Sequence, residues 1–172
     1  MRINLSGILK DFGREETIEY ETYFDEIEWE GEKLKFKEPV KVKAVFTNTK
    51  DDIIVSSEVN TVLNVKCHRC LKEFPYEMSI QFEEEIKKSI NSAGFDKDVF
   101  YLDEDNTIEF DDVVKMHIVL NLPMRFICDV GCKGLCSKCG QNLNIISCTC
   151  KEDVFDERLA VLKNFYEKDK EV

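Results

Sequence analysis

The chain of 172 residues carries 35 acidic and 24 basic side chains, a net charge of −11, with 43% hydrophobic residues, 8 Cys and 3 Pro. That is the length of one domain, with enough apolar material for a real core. Only 7 Gly and no internal repeat exclude collagen-like, mucin-like and low-complexity classes. The most apolar stretch, Val113 to Ile127, is broken by Lys115, His117, Asn121, Pro123 and Arg125, so it is too polar to cross a bilayer. The N-terminus turns acidic before a secretory core can form. A soluble cytoplasmic protein with no membrane partner is expected.

From the start to about residue 86 the pattern is strand-like. Ile3, Leu5 and Ile8, then Ile18, Tyr20 and Tyr23, then Leu34 and Phe36 form short alternating runs. Val40-Lys-Val-Lys-Ala-Val-Phe46 is an alternating strand, and Asn48 to Asp52 reads as its turn. Ile53 to Lys66 resumes the pattern, and Phe74 to Ile86 alternates through Tyr76, Met78, Ile80 and Phe82. Between these two lies Cys67-His-Arg-Cys70, placed to be the turn of the last hairpin.

Residues 87–109 read as an acidic connection containing a short strand. A helix is expected from Asp111, whose carboxylate can cap it. Phe110, Val113, Val114, His117 and Ile118 mark its apolar face, and Leu122-Pro123 ends it. Residues 128–150 are too rich in Gly, Ser, Asn and Cys to pack an element of their own, and a final helix is expected from Asp156. The fold class expected is α+β. An antiparallel β-meander or barrel-like sheet fills residues 1–109. Residues 110–172 supply a helix, a cysteine-rich metal-binding segment and a C-terminal helix, with the whole forming one compact unit.

The eight cysteines fall as Cys67-x2-Cys70, then Cys128-x3-Cys132-x3-Cys136-x2-Cys139-x8-Cys148-x-Cys150. Without an export signal a disulfide framework is not expected, and eight thiols make two closed four-ligand Zn²⁺ sites. The favoured partition groups Cys136, Cys139, Cys148 and Cys150, which are local and cheap in loop-closure entropy. Cys67, Cys70, Cys128 and Cys132 then form a second site that staples the sheet to the C-terminal lobe. A zinc-ribbon pairing of 67/70 with 136/139, one site with spare thiols, and Fe–S ligation remain open alternatives.

The charge is uneven. Residues 66–72 hold three bases and no acid, and residues 113–151 hold five bases against Asp129 alone. These basic islands contain every cysteine. Lys66, Arg69, Lys72, Lys133 and Lys138 therefore either offset thiolate charge or bind phosphate of a nucleic acid. No catalytic constellation stands out. His68 sits inside the knuckle as a surface contact or substitute ligand, or as an ordinary turn residue. His117 reads as a satisfied core residue, and the runs Glu83-Glu84-Glu85 and Asp103-Glu104-Asp105 read as solvated surface. There is no Gly-rich phosphate loop and no nucleophile elbow. No small-molecule substrate is expected. The enzyme alternative is a thiol-disulfide oxidoreductase using Cys67 and Cys70, which needs a depressed thiolate pKa. A metal-binding interaction module is the third reading.

Three runs carry a family resemblance: Cys67-His-Arg-Cys70-Leu71 with Phe74, Leu120-Asn-Leu-Pro123, and Cys132-Lys-Gly-Leu-Cys136-Ser-Lys-Cys139-Gly-Gln-Asn-Leu-Asn144. With Cys148-Thr-Cys150 and Asp156-Glu-Arg158-Leu-Ala160, they make residues 55–165 resemble the YceD family of large ribosomal RNA subunit accumulation proteins. The resemblance implies a non-enzymatic role in ribosome biogenesis, supporting synthesis, processing or stability of large-subunit ribosomal RNA. It also implies ribosomal RNA or a basic large-subunit ribosomal protein as partner. Some members of that family keep the first Cys-x-x-Cys without the later cluster, which implies a structural role for the C-terminal metal site.

Overall fold

The computed structural model describes residues 1–88 and 99–150. Its strands are β1 (Arg2–Asn4), β2 (Glu15–Thr22), β3 (Glu26–Trp29), β4 (Glu32–Phe36), β5 (Val40–Asn48), β6 (Asp52–Lys66), β7 (Glu73–Lys87), β8 (Phe100–Tyr101) and β9 (Thr107–Glu109). One helix, α1 (Phe110–Leu120), follows, and a 3-10 turn spans Ile8–Lys10. The helix expected from Asp156 lies outside the described residues.

The expected meander is present in β5, β6 and β7. Their alternation is the cause: Val40, Val42, Ala44 and Phe46 on β5 are buried, as are Ile53, Val55, Val59, Leu63 and Val65 on β6. β6 and β7 pair antiparallel over fifteen residues each, from Asp52 opposite Lys87 to Lys66 opposite Glu73. The Cys-x-x-Cys segment is their hairpin turn, as the spacing predicts. β2 pairs with β5 from Glu15↔Thr47 to Thr22↔Val40. The β3–β4 hairpin turns at Glu30 and Gly31, both at positive φ, and joins β6 at Leu63 and Asn64.

The barrel-like expectation is corrected. β5 borders β6 over Ile53–Asn60 and β4 borders the same edge over 63–64, while β7 holds the other edge. The sheet therefore forks along one side of β6, and among the described residues its outer strands β2 and β3 do not meet. Two further expectations shift. Ile8 belongs to the 3-10 turn, buried and held by Asn48, whose amide donates to the Ile8 and Asp11 carbonyls at 2.8 Å each. Tyr23 lies past the end of β2 and is exposed. β1 pairs with β9, a contact between the chain's start and residue 109 that local patterning does not encode.

Helix α1 lies across the inner face. Phe110 meets Phe46 edge-on with ring centroids 5.1 Å apart, and Val113, Val114 and Ile118 are buried. Full burial of each such side chain is worth about 1.5–3 kcal/mol. Its N-cap is Glu109 and carries no side-chain cap bond. The Asp111 carboxylate does something else: it accepts the Tyr20 hydroxyl at 2.9 Å and the Thr22 hydroxyl at 3.2 Å, tying helix to β2. His117 stacks on Phe82 at 3.7 Å and bonds Glu84 at 2.9 Å, so it is satisfied within the fold. No helix among the described residues is long and apolar enough to cross a membrane.

Candidate metal centres

Two stretches of backbone are built alike. In the hairpin turn the Cys67 N–H donates to the Lys72 carbonyl at 2.9 Å, and the Leu71 N–H donates to Cys67 at 2.9 Å. Downstream, the Cys136 N–H donates to Gln141 at 2.8 Å and the Gly140 N–H to Cys136 at 2.9 Å. Each is a knuckle that closes on its first cysteine and turns at a residue of positive φ, Leu71 at 58° and Gly140 at 71°. Such a loop aims two sulfurs at one point.

The sulfurs then collect into two quartets. Cys67, Cys70, Cys128 and Cys132 form one, and Cys136, Cys139, Cys148 and Cys150 form the other, with the Sγ atoms of each within 4.8 Å of one another. This is the partition favoured from loop closure; the zinc-ribbon pairing of 67/70 with 136/139 is not what the fold brings together. In the first quartet Cys67 and Cys132 sulfurs are 3.9 Å apart, and those of Cys70 and Cys128 are 3.6 Å apart. A tetrahedron with Zn–S bonds of about 2.3 Å has S···S edges of about 3.8 Å. The two sulfur–sulfur distances of the first quartet are those of thiolates sharing one tetrahedral ion.

The thiol electrostatics fit a cation. Burial pushes the Cys67 thiol up, but the backbone N–H groups of Cys128, Cys70 and Arg69 outweigh it and bring Cys67 to about 6. Cys128 is pushed up to about 12 by burial and by the neighbouring sulfurs of Cys67 and Cys70. In the second quartet, N–H groups of Cys139 and Lys138 bring Cys136 to about 6, while the Cys139 sulfur and then burial raise Cys150 to about 12. Each quartet thus ionises one thiol readily and keeps another protonated. A bound divalent cation would allow all four to be thiolates.

The two quartets differ in setting. The first is largely inside: Cys67, Cys70 and Cys132 are buried, and Phe74 and Leu135 pack beside them. It joins the β6–β7 tip to the segment after α1. Arg69 tightens that joint, donating to the carbonyls of Cys132 at 3.1 Å and Val130 at 3.5 Å, while its own carbonyl accepts the Leu135 N–H at 3.0 Å. His68 adds a second tie. Its backbone N–H donates to the Phe126 carbonyl at 2.8 Å, and its ring Nδ1 lies 2.9 Å from the Phe126 nitrogen and 3.2 Å from the Phe126 carbonyl oxygen. Its ring stacks on Phe126, and Trp29 and Tyr76 meet Phe126 edge-on. The second quartet is local, and its Cys139 and Cys150 are exposed.

Of the five cations singled out in the sequence, Lys66, Lys72, Lys133 and Lys138 are exposed around this lobe, with Lys66 opposite Glu73 at the end of β6. The Arg69 guanidinium is engaged within the molecule. Sequence reasoning missed Arg69's role, the aromatic cluster at Phe126 and the two small residues of the joint, Gly134 and Asn144. Both stand inside the Cys132–Asn144 run that carries the family resemblance, which was the available signal.

The chain matches, over residues 55–166, the sequence profile described as "Large ribosomal RNA subunit accumulation protein YceD". It is 27% identical over 134 residues to "Uncharacterized protein YlbN" of Bacillus subtilis, with 77% of each chain covered. It is 28% identical over 145 residues to "Large ribosomal RNA subunit accumulation protein YCED homolog 1, chloroplastic" of Zea mays, covering 66% of this chain and 49% of that protein. The protein of the same name from Arabidopsis thaliana is 28% identical over 158 residues, covering 76% and 49%. The chain thus spans about half the length of these two plant relatives. No solved structure matches it. The profile match takes in more than half of the chain and all eight cysteines, and the protein belongs to the YceD family.

Proposed function

We propose that this protein is a non-enzymatic ribosome-biogenesis factor that supports accumulation of large-subunit ribosomal RNA, with one Zn²⁺ held by each cysteine quartet. The observation that carries the role is the family match over residues 55–166, which contains both quartets and the β6–β7 hairpin between which the lobe is fastened. The zinc reading is supported by all-sulfur donor sets at tetrahedral spacing. Cys67 has the lowered thiol pKa that a thiol oxidoreductase needs, but burial of Cys67 and Cys70 disfavours that reading, because an attacking sulfur must reach a substrate disulfide.

The protein binds ribosomal RNA through the cations around the cysteine lobe, Lys66, Lys72, Lys133 and Lys138, while Arg69 fastens the joint beneath them. The acidic remainder of the chain limits the footprint. Affinity should therefore fall with salt by only about 0.7–0.9 log unit per log unit for each of a few phosphate contacts.

The test is depletion and rescue. Cells lacking the protein should lose large-subunit ribosomal RNA relative to small-subunit RNA, and the native chain should restore it. A Lys72→Glu/Lys133→Glu variant should keep its zinc, fail to retain RNA in a pull-down and fail to rescue. Retention of a ribosomal protein after nuclease treatment would move the partner from RNA to a basic protein. Unchanged ribosomal RNA levels on depletion would overturn the role itself.

A further inference from the structure

Between the two quartets stands a side chain that belongs to neither. Asn144 lies in the loop between Cys139 and Cys148, both of the second quartet, yet its amide nitrogen is 3.3 Å from Sγ of Cys132, a member of the first. The orientation of that amide is fixed. Its Oδ1 accepts the Lys133 N–H at 2.7 Å, so the NH₂ must be the side that faces the sulfur. The remaining N–H of the amide goes to Asn142 Oδ1 at 2.9 Å. One short side chain thus uses its donors and its acceptor across the joint.

What holds Asn144 there is a loop. On its N-terminal side the Leu143 N–H bonds the Gly134 carbonyl at 2.9 Å, next to the bridge between Leu135 and Asn142. On its C-terminal side the Ile145 and Ile146 N–H groups both reach back to Asn142 at 3.1 Å, and the chain then runs exposed to Cys148 and Cys150. Ligation of Cys148 and Cys150 alongside Cys136 and Cys139 closes this loop at both ends. Without it, two turn hydrogen bonds tie the C-terminal end among the described residues.

We propose that Asn144 couples the two metal sites, so that an ion in the second quartet tightens the hold of the first on its own ion. The inference rests on the reading that both quartets bind metal. The physical route is short. An N–H···S bond draws charge from the Cys132 thiolate and fixes the direction of its lone pairs, and outer-shell partners of this kind typically change metal affinity by about 10–100-fold. That bond exists only while the loop carrying Asn144 is closed, and the second ion closes it. The coupling is reciprocal, as any linkage between two binding equilibria is. Asn144 is a positioning residue: it touches a ligand sulfur and not the ion.

The experiment follows exchange of bound zinc in the full-length, zinc-loaded chain for an excess of a heavy zinc isotope, which keeps both quartets filled throughout, counting replaced ions per chain by native mass spectrometry against time. The native protein should exchange its exposed second ion first and the first-quartet ion slowly. In Cys148→Ser/Cys150→Ser the remaining first-quartet ion should leave about 10–100-fold faster than that slow phase. Asn144→Ala, and Asn144→Asp which keeps the acceptor for Lys133 but lacks the donors, should show the same acceleration with the second quartet intact. Combining Asn144→Ala with Cys148→Ser/Cys150→Ser should accelerate release no further, because both changes remove one and the same bond. A first-quartet ion that leaves at the native slow rate when the second quartet is disabled overturns the coupling. So does a combined variant whose acceleration is the product of the two. A native chain that carries no ion at all overturns the metal reading instead.

Discussion

The sheet body and the cysteine lobe solve the same problem, burying enough to stay folded, by different means. In the body, strand alternation supplies the core: Phe46, Leu63, Ile53 and Val55 from β5 and β6 share one cluster with Phe110 and Ile118 of α1, all fully buried. In the lobe, residues 128–150 offer little of this. Val130, Ile145 and Ile146 are exposed, the first two at 97% and 77%, so most of the aliphatic side chains that occur there lie on the surface. What is buried in their place is sulfur, with Cys67, Cys70 and Cys132 as the cluster and Phe74 and Leu135 at its rim. A core of alternating side chains is distributed, and losing one of them costs a fraction of it. A core of four sulfurs around one point depends on what occupies that point.

The sharpest way to break the comparison is to remove the metal. Structural zinc sites contribute on the order of 10–16 kcal/mol of apparent binding free energy that the fold would lose. Chelation should abolish hydrogen-exchange protection over residues 128–150 and fray the tip of the β6–β7 hairpin, while β5 and the middle of β6 and β7 keep theirs. Uniform loss across the sheet would mean that body and lobe fold as one cooperative unit. The mirror experiment strikes the body: Phe46→Ala should cost about 3–5 kcal/mol in denaturant unfolding of the sheet. Zinc content should stay the same, because no cysteine touches that part of the core.

Much of this division is legible in the residues. The run Val40 to Phe46 reads as a half-buried strand because every second side chain is apolar, and it is one. The cysteine partition is legible from loop closure, since Cys136, Cys139, Cys148 and Cys150 are near in sequence and the rest follow by elimination. The forked sheet is not legible, because which edge of β6 receives β4 depends on Leu63 and Phe36 meeting across many residues. Pairing of β1 with β9 is hidden for the same reason. Asp111 is placed by the sequence at a helix start, where capping is the cheapest local use of a carboxylate. The fold overrides that with Tyr20 and Thr22, donors that only tertiary structure brings near.

The joint between body and lobe is tested by a smaller change. Gly134 has φ of +74°, and a Cβ there would stand 3.0 Å from the Arg69 carbonyl oxygen. A left-handed conformation costs an L-residue about 1–2 kcal/mol, and the backbone oxygen that would have to move is the acceptor of the Leu135 N–H. Gly134→Ala should lower the unfolding midpoint of the lobe and speed zinc loss from the first quartet, with the body's midpoint unchanged. A shift of both midpoints together would show that the joint stabilises the sheet as well.

The two knuckles make the finest comparison. Their hydrogen bonds are the same, and both need a residue of positive φ after the second cysteine, yet one uses Gly140 and the other Leu71. Leu71 bears the conformational cost of about 1–2 kcal/mol that Gly140 avoids. It recovers little by packing, since it is 63% exposed. Glycine would return part of the gain through the larger entropy of its unfolded state, about 0.5–1 kcal/mol. Leu71→Gly should therefore leave the lobe neutral to about 1 kcal/mol more stable, read as a small rise in its unfolding midpoint and slower zinc release. Gly140→Ala, in open space but at the same φ, should move the second quartet the other way. If Leu71→Gly instead weakens the lobe, the leucine side chain holds a contact that outweighs its backbone strain, and the first knuckle is stabilised through its surface as well as through its sulfurs.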